Sequence, residues 1–241
     1  MKALVIVPCF NEETRLRPED FLAFLQQQEQ ADLLFVDDGS RDRTTDVLDE
    51  MKRRNPRALV MKLPKNQGKA GAVRAGALWA KDQFAYSHIA FWDADLSTPL
   101  VDVVHMLHFF ESHPELEMIF GIRLSKLGTP VERLWLRHVL GRIFATAISN
   151  MLKVAVYDTQ CGAKMFRSEL GEPLFEATFV SKWFFDVELL WRYRLKKGTL
   201  DGVLELPVSR WKHEAGSKLK LRDFIRTPVE LWRIWNHYRR L

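Results

Sequence analysis

Three short apolar runs constrain this chain more than anything else in it: Ala3-Leu4-Val5-Ile6-Val7, Leu33-Leu34-Phe35-Val36 and Ile89-Ala90-Phe91-Trp92. Each soon gives way to polar residues, at Asn11-Glu12-Glu13, Asp37-Asp38-Gly39-Ser40 and Asp93-Ala94-Asp95, and each precedes a stretch with helical spacing. Such alternation reads as βαβ units around a parallel sheet. Right-handed crossovers then gather the three strand ends on one edge, the edge where open α/β sheets bind ligands. The expected fold is α/β and Rossmann-like, a mostly parallel sheet flanked by helices.

That edge would be acidic. Asp93 and Asp95 stand one residue apart, and two such carboxylates repel each other unless a cation lies between them; a divalent metal with oxygen ligands is the commonest partner. A lone Asp-x-Asp also occurs in solvated turns, so the second acidic strand end, Asp37-Asp38, carries much of the argument for a metal-ready crevice.

At 241 residues and 47% hydrophobic content the chain is long enough for one large core. No Gly/Ser/Pro-rich linker or repeat divides it, and we expect a single domain over 1–241 with a specialised C-terminal part. Cys9 and Cys161 match no metal-ligand spacing and are too few for a disulfide framework, which points to buried thiols in a reducing compartment. The first ten residues contain Pro8 and lack a cleavage pattern, so they read as a core strand and not as a leader. The apolar stretch at 143–152 is far short of the ~20 residues of a spanning helix.

Charge is concentrated at the C-terminal end. Residues 205–241 hold nine Lys/Arg against four Asp/Glu, which is the whole net charge of +5, while the remainder carries 27 of each sign. An anionic partner follows. There, Phe224, Ile225, Leu231, Trp232, Ile234, Trp235 and Tyr238 interleave with Arg222, Arg226, Arg233, Arg239 and Arg240, a texture suited to a membrane interface in preference to nucleic acid. At 133–153, Arg133, Arg137, His138 and Arg142 accompany Leu136, Leu140, Ile143, Phe144, Ala147, Ile148 and Met151 at helical intervals. Two core-packing helices with solvated basic faces are the alternative reading of both segments.

Other segments also point at phosphate. Gly68 and Lys69 open a helical stretch, where backbone N–H groups and a cation favour an anion; tight packing of a small-residue helix explains Gly71, Ala72, Ala75 and Gly76 equally well. Asp158, Gly162, Lys164 and Arg167 combine a carboxylate, a turn and two cations. Asp186 and Glu188 lie in a very apolar stretch, either as ion-paired anchors or as part of the site. Residues 207–218 read as a strand leading into a basic loop that closes over a diphosphate, and His213 within it has no evident need to act as a base.

The ordered set Val7-Pro8-Cys9-Phe10-Asn11-Glu12, Val36-Asp37-Asp38-Gly39-Ser40, Asn66-Gln67-Gly68-Lys69, Asp93-Ala94-Asp95 and Gly121-Ile122-Arg123 resembles the inverting GT-A nucleotide-sugar glycosyltransferases, and among them the polyprenyl-phosphate sugar synthases. The segments at 158–164, 185–190 and 211–218 are most similar to the dolichyl-phosphate β-glucosyltransferase branch of that group, which also includes dolichol-phosphate mannose synthases. The resemblance implies a GT-A fold, with Pro8, Phe10, Glu12, Val36, Asp37, Asp38, Gly68, Lys69, Ala94 and Arg123 around the nucleotide sugar. It implies Mg²⁺ or Mn²⁺ on Asp93 and Asp95, with Ser97 as a further ligand. It also implies Asp93, Asp95, Asp158 and Arg210 as catalytic residues, and Lys164, Ser217 and Lys218 at the acceptor phosphate. Leu96-Ser97-Thr98-Pro99 departs from the eukaryotic glucosyl pattern. So does the lack of the spanning segments many relatives carry, and residence at the cytoplasmic face of a membrane would then rest on the basic parts or on a partner subunit.

The implied reaction moves a hexose, from UDP-glucose ahead of GDP-mannose, to a polyprenyl or dolichyl phosphate. A lipid phosphate, with its second ionisation near pH ~6, needs no general base; a saccharide hydroxyl would need one, at Asp158 or Asp186. Outside this class stand a nucleotidyltransferase, which would show a Gly-rich basic loop after the first strand, and a nucleotide- or membrane-binding scaffold.

Overall fold

The computed structural model describes residues 1–83, 85–124, 135–211 and 221–240, with 135–142 and 221–226 described by backbone alone. Within these, seven strands form one sheet: β1 (Ala3–Cys9), β2 (Ala31–Asp37), β3 (Ala58–Lys62), β4 (His88–Trp92), β5 (Met118–Ile122), β6 (Ala163–Arg167) and β7 (Val203–Pro207). Their order is β3-β2-β1-β4-β6-β5-β7, and only β6 runs antiparallel to its neighbours. The helices are α1 (Pro18–Gln27), α2 (Thr44–Arg54), α3 (Gly68–Ala80), α4 (Val101–Ser112), α5 (Trp135–Leu152), α6 (Gly171–Phe175), α7 (Phe185–Lys197) and α8 (Leu221–Tyr238).

The three apolar runs are β1, β2 and β4, as their composition predicts. They lie in the middle of the sheet, so both faces of each are covered, and side chains alternate between two cores with the period of two that a strand imposes. Val5, Val7, Leu33, Phe35, Ala90 and Trp92 pack against α1, α2 and α4 through Phe21, Leu48 and Met106. Leu4, Ile6, Leu34, Val36, Ile89 and Phe91 pack on the other side against Val73 of α3, Ile148 of α5, Phe175 of α6, Phe185 of α7 and Leu231 of α8. Each large side chain so buried contributes roughly 1.5–3 kcal/mol. The chain winds outward from β1 to β3 and then returns to β4 on the other side of β1. That reversal opens a crevice at the strand C-termini.

Three expectations change in the folded chain. The final strand is Val203–Pro207 and ends where the sequence reading placed its start; Ser209 N–H turns away to donate to the Asp102 carboxylate at 3.1–3.2 Å. On α8, Leu231, Ile234 and Tyr238 were grouped with the interfacial side chains, but they share a buried face with Thr227 because they recur at helical spacing against the core. The outward face carries Val229 and Trp232, the latter 59% exposed. On α5, Ile148 likewise packs inward while Ile143 is exposed. Cys9 and Cys161 are buried free thiols, as expected. Among the described residues, no helix is long and apolar enough to cross a membrane.

Helix α3 approaches β1 closely enough that a Cβ at Gly76 would sit 2.8 Å from Ile6 Cγ2. Ile6 is β-branched and stiff, so the packing explanation of Gly76 holds. We expect Gly76→Val to lower stability by about 1–3 kcal/mol through overpacking, read as a fall in Tm; an unchanged Tm would mean that α3 can lift from the sheet at no cost.

Candidate active site at the strand ends

Asp93 follows the last residue of β4 and meets Lys69, the second residue of α3, at 2.6 Å. Its backbone N–H donates to the Gly162 carbonyl at 3.0 Å. A Cβ at position 162 would fall 1.8 Å from Asp93 Oδ2 and 2.2 Å from its Cγ. Only glycine leaves room for the Asp93 carboxylate. The sequence reading noted Gly162 as part of a turn and missed this steric role.

Asp95 is fixed differently. Ser97 donates to its Oδ1 through N–H at 3.0 Å and through Oγ at 2.7 Å, and Arg15 Nη2 lies 3.3 Å from Oδ2. Between the two acids, Leu96 takes a φ of 53°, a left-handed conformation that leucine rarely adopts. Arg15, drawn from the loop after β1, carried no sequence signal. The Asp93 and Asp95 side chains remain 34% and 26% exposed, open to the crevice.

Two further ion pairs stand behind them. Lys164, on β6 opposite Phe91 of β4, is 1% exposed; it lies 2.8 Å from Asp186 in the first turn of α7 and donates to the Cys161 carbonyl. Its ammonium also sits 5.2 Å and 5.0 Å from the ring centres of Phe91 and Phe120, within cation–π range. Arg123 donates to both oxygens of Asp158, from Nε at 2.6 Å and Nη2 at 2.8 Å, and adds its backbone N–H at 3.1 Å. The Trp211 ring centre is 5.4 Å from that guanidinium.

These pairs set the protonation states. Burial pushes the Asp93 carboxyl up, but Lys69, Lys164 and Arg123 outweigh it and hold the group below the ordinary carboxylate range. Burial opposes the Lys69 ammonium, yet Asp93, Asp186 and Asp95 lift it above the usual lysine value. For Asp186 burial prevails over Lys164 and Lys69, and the carboxyl is raised. The open alternatives for Asp186 and Glu188 therefore divide by residue. Asp186 joins the charged cluster, whereas Glu188, 0% exposed, accepts the N–H groups of Val180 and Ser181 at 2.9 and 2.7 Å and the Tyr238 hydroxyl at 2.9 Å.

At the ends of β1 and β2 lies a cavity of about 450 Å³ lined by Phe10, Asp37, Gly39, Ser40, Lys62, Lys65 and Asn66, among others. Asp37 Oδ1 accepts the Ser40 N–H at 2.9 Å and its Oδ2 accepts the Thr45 hydroxyl. Asp38 accepts the N–H groups of Gln67 and Gly68 at 2.7 and 2.8 Å. The anion at the start of α3 is thus the chain's own Asp38, whose carboxyl burial raises despite those hydrogen bonds. Val36 and Ala94 are buried, Pro8 is half-buried, and buried Glu12 takes its N–H to the Thr44 hydroxyl at 2.8 Å. Arg210 is exposed. Ser217, Lys218 and His213 lie outside the described residues, as do the side chains of Arg133, Arg137, His138, Arg142, Arg222 and Arg226.

Among the described residues no group of three His, Cys, Asp or Glu gathers around a common point that could hold a metal. Two partly open carboxylates nonetheless suit Mg²⁺ or Mn²⁺, which bind through one or two carboxylates and take their remaining ligands from water and substrate phosphates.

The sequence profile of Glycosyl transferase family 2 matches residues 4–175. The chain is 31% identical to a dolichyl-phosphate beta-glucosyltransferase of Trichomonas vaginalis over 97% of its own length and 73% of the relative's. It is also 31% identical to the dolichyl-phosphate beta-glucosyltransferase of Homo sapiens, over 89% of this chain and 68% of that one. In structure it is similar to glucosyl-3-phosphoglycerate synthase from Mycobacterium tuberculosis in complex with Mn²⁺ and UDP-glucose, with a TM-score of 0.73 and 14% identity over 98% of this chain and 78% of the other. That last likeness is one of fold.

The depressed Asp93 pKa has a sign that can be checked. It contributes stability above the unfolded value of about 3.9 and loses it as pH falls through the lower folded value. Lys69→Met removes the nearest cause. We expect the stability gap between wild type and this variant, from urea unfolding, to be largest near neutral pH and to close in acid below about pH 4; a gap independent of pH would place its origin elsewhere.

Proposed function

Because the chain belongs to glycosyl transferase family 2 and has a GT-A fold, we propose that this glycosyltransferase moves glucose from UDP-glucose to a dolichyl or other polyprenyl phosphate, with inversion at the anomeric carbon. The nucleotidyltransferase and scaffold alternatives fall with that membership. The observation that carries the reading is the run from the cavity at the β1 and β2 ends, along Asn66 to Lys69, to the acidic pair Asp93 and Asp95. It supports a nucleoside against Phe10 and Asp37, and a diphosphate directed toward the two carboxylates.

In this reading residues 1–125 hold the donor and 126–241 receive the acceptor. Lys69 keeps Asp93 ionised, and Ser97 with Arg15 holds Asp95 in place. Mg²⁺ or Mn²⁺ bound by Asp93 and Asp95 would supply charge neutralisation for the departing diphosphate. Arg123 and Arg210, with Ser217 and Lys218, are the groups for substrate phosphates. Lys164 acts from beneath, through its pair with Asp186 and its positive field on Asp93. An acceptor phosphate brings its own oxyanion, so no side chain has to take a proton. Asp158 accords with this role, since the Arg123 fork binds both of its oxygens.

One observation favours a second acceptor class. Burial raises the Asp186 carboxyl, a property useful to a general base acting on a saccharide hydroxyl.

The test is transfer of labelled sugar from UDP-glucose and from GDP-mannose to polyprenyl phosphate with Mg²⁺ or Mn²⁺. We expect label in the lipid phase from UDP-glucose, dependent on metal and reduced roughly a hundredfold in Asp95→Ala. Label from GDP-mannose would reassign the donor, and donor hydrolysis without lipid product would count against the acceptor. Asp186→Asn beside Lys164→Met separates the two acceptor classes: near-complete loss confined to Asp186→Asn, with intact donor binding, belongs to a hydroxyl acceptor, whereas equal losses reflect the broken pair.

The outward face of α8, with Val229, Trp232 and Arg233, and the exposed Arg239 and Arg240 just after it support peripheral contact with an anionic membrane at the cytoplasmic face, alone or beside a partner subunit. In flotation with phosphatidylserine-containing vesicles, Trp232→Ala should weaken binding roughly tenfold, the effect of withdrawing part of one large side chain from lipid. Equal flotation of variant and wild type would remove α8 from the interface.

A further inference from the structure

Resting on that reading of the donor, we propose that Lys182 contacts the diphosphate of the nucleotide sugar. Four cations of the site are already matched with the protein's own carboxylates: Lys69 with Asp93, Lys164 with Asp186, Arg123 with Asp158 and Arg15 with Asp95. A diphosphate entering the crevice draws on positive charge beyond these pairs, and Lys182 can supply it beside the exposed Lys65 and Arg210. Lys182 is exposed and, among the described residues, its ammonium has no ion pair or hydrogen bond.

Its place is specific. The Lys182 stem lies across the first residue of α3, with Cβ and Cδ 3.6 Å from the point a Cβ on Gly68 would occupy. Its charge reaches Asp38, which caps the same helix start. Lys65 and Asn66 line the cavity, Gly68 lies under Lys182, and Lys69 grips Asp93. In this proposal the diphosphate that joins nucleoside to sugar runs along residues 66–69, beside the Lys182 side chain at Gly68.

The backbone that carries Lys182 is pinned while its side chain is not. Glu188 accepts the N–H groups of Val180 and Ser181, and Ser181 Oγ accepts those of Trp183 and Phe184 at 3.2 and 3.0 Å. A fixed Cα under a long, uncommitted ammonium suits a phosphate contact. Truncating that side chain removes charge and leaves the turn intact.

Titration of the full-length chain with UDP in the presence of Mn²⁺, and with uridine as the uncharged control, tests this. We expect Lys182→Ala to weaken UDP binding roughly tenfold, the loss of one charge-assisted contact, with uridine binding unchanged and Lys182→Arg largely restoring UDP affinity. Unchanged UDP affinity, or equal losses for UDP and uridine, would overturn the proposal. So would a raised KM for polyprenyl phosphate at unaltered UDP affinity, which would assign Lys182 to the acceptor. Wild-type protein that binds no UDP would sink the donor reading itself, and UDP binding without lipid transfer would sink only the acceptor, with the Lys182 comparison still decided by UDP.

Discussion

The contact between Lys69 and Asp93 is the point on which the site turns. A carboxylate at the mouth of a buried strand is costly unless a cation faces it, and here the cation comes from the helix that precedes that strand. The arrangement demands that nothing crowd Asp93 from behind, so the neighbouring antiparallel strand is entered through Gly162. The same balancing of charge recurs in Lys164–Asp186, Arg123–Asp158 and Arg15–Asp95. These four pairs consequently carry no net charge between them.

A second support lies deeper. Arg192 donates from Nε to the Tyr238 hydroxyl at 2.8 Å and from its terminal nitrogens to the carbonyls of Leu174, Ala177 and Thr178 at 2.7–2.8 Å. Tyr238 in turn donates to Glu188 at 2.9 Å. Burial, followed by the nearby Glu188 charge, raises the Tyr238 phenol, so it stays protonated and able to donate. One network thus joins the last turn of α8 to α7 and to the turn that carries Lys182. The helix whose outer face bears Trp232 and the turn that carries Lys182 share a buried anchor.

Much of this was legible in sequence because it is local. Apolar runs at 3–7, 33–36 and 89–92 could only be buried strands, and the acids after them could only gather on one edge. The acidic pair, Lys69 and Gly68 were all visible as residue types beside a strand end or a helix start. Lys164 was read as a phosphate contact from its neighbours in a Gly-containing segment, yet it lies wholly buried, because β6 inserts between β4 and β5 and turns that position under the sheet. Leu231, Ile234 and Tyr238 left two readings open, an interfacial stripe or a core-packing face, until α8 met α7; an amphipathic helix does not announce which apolar medium its face will meet.

By itself, the sequence determined the strands, their shared edge and the chemical character of the groups placed there, since these follow from periodicity and from the handedness of crossovers. Which cation meets which carboxylate was decided only in three dimensions. Lys69 and Asp93 are 24 residues apart, Arg123 and Asp158 35, Arg15 and Asp95 80. Coulomb attraction depends on separation in space and on the water excluded between the charges, and neither quantity exists until the sheet has brought these segments together.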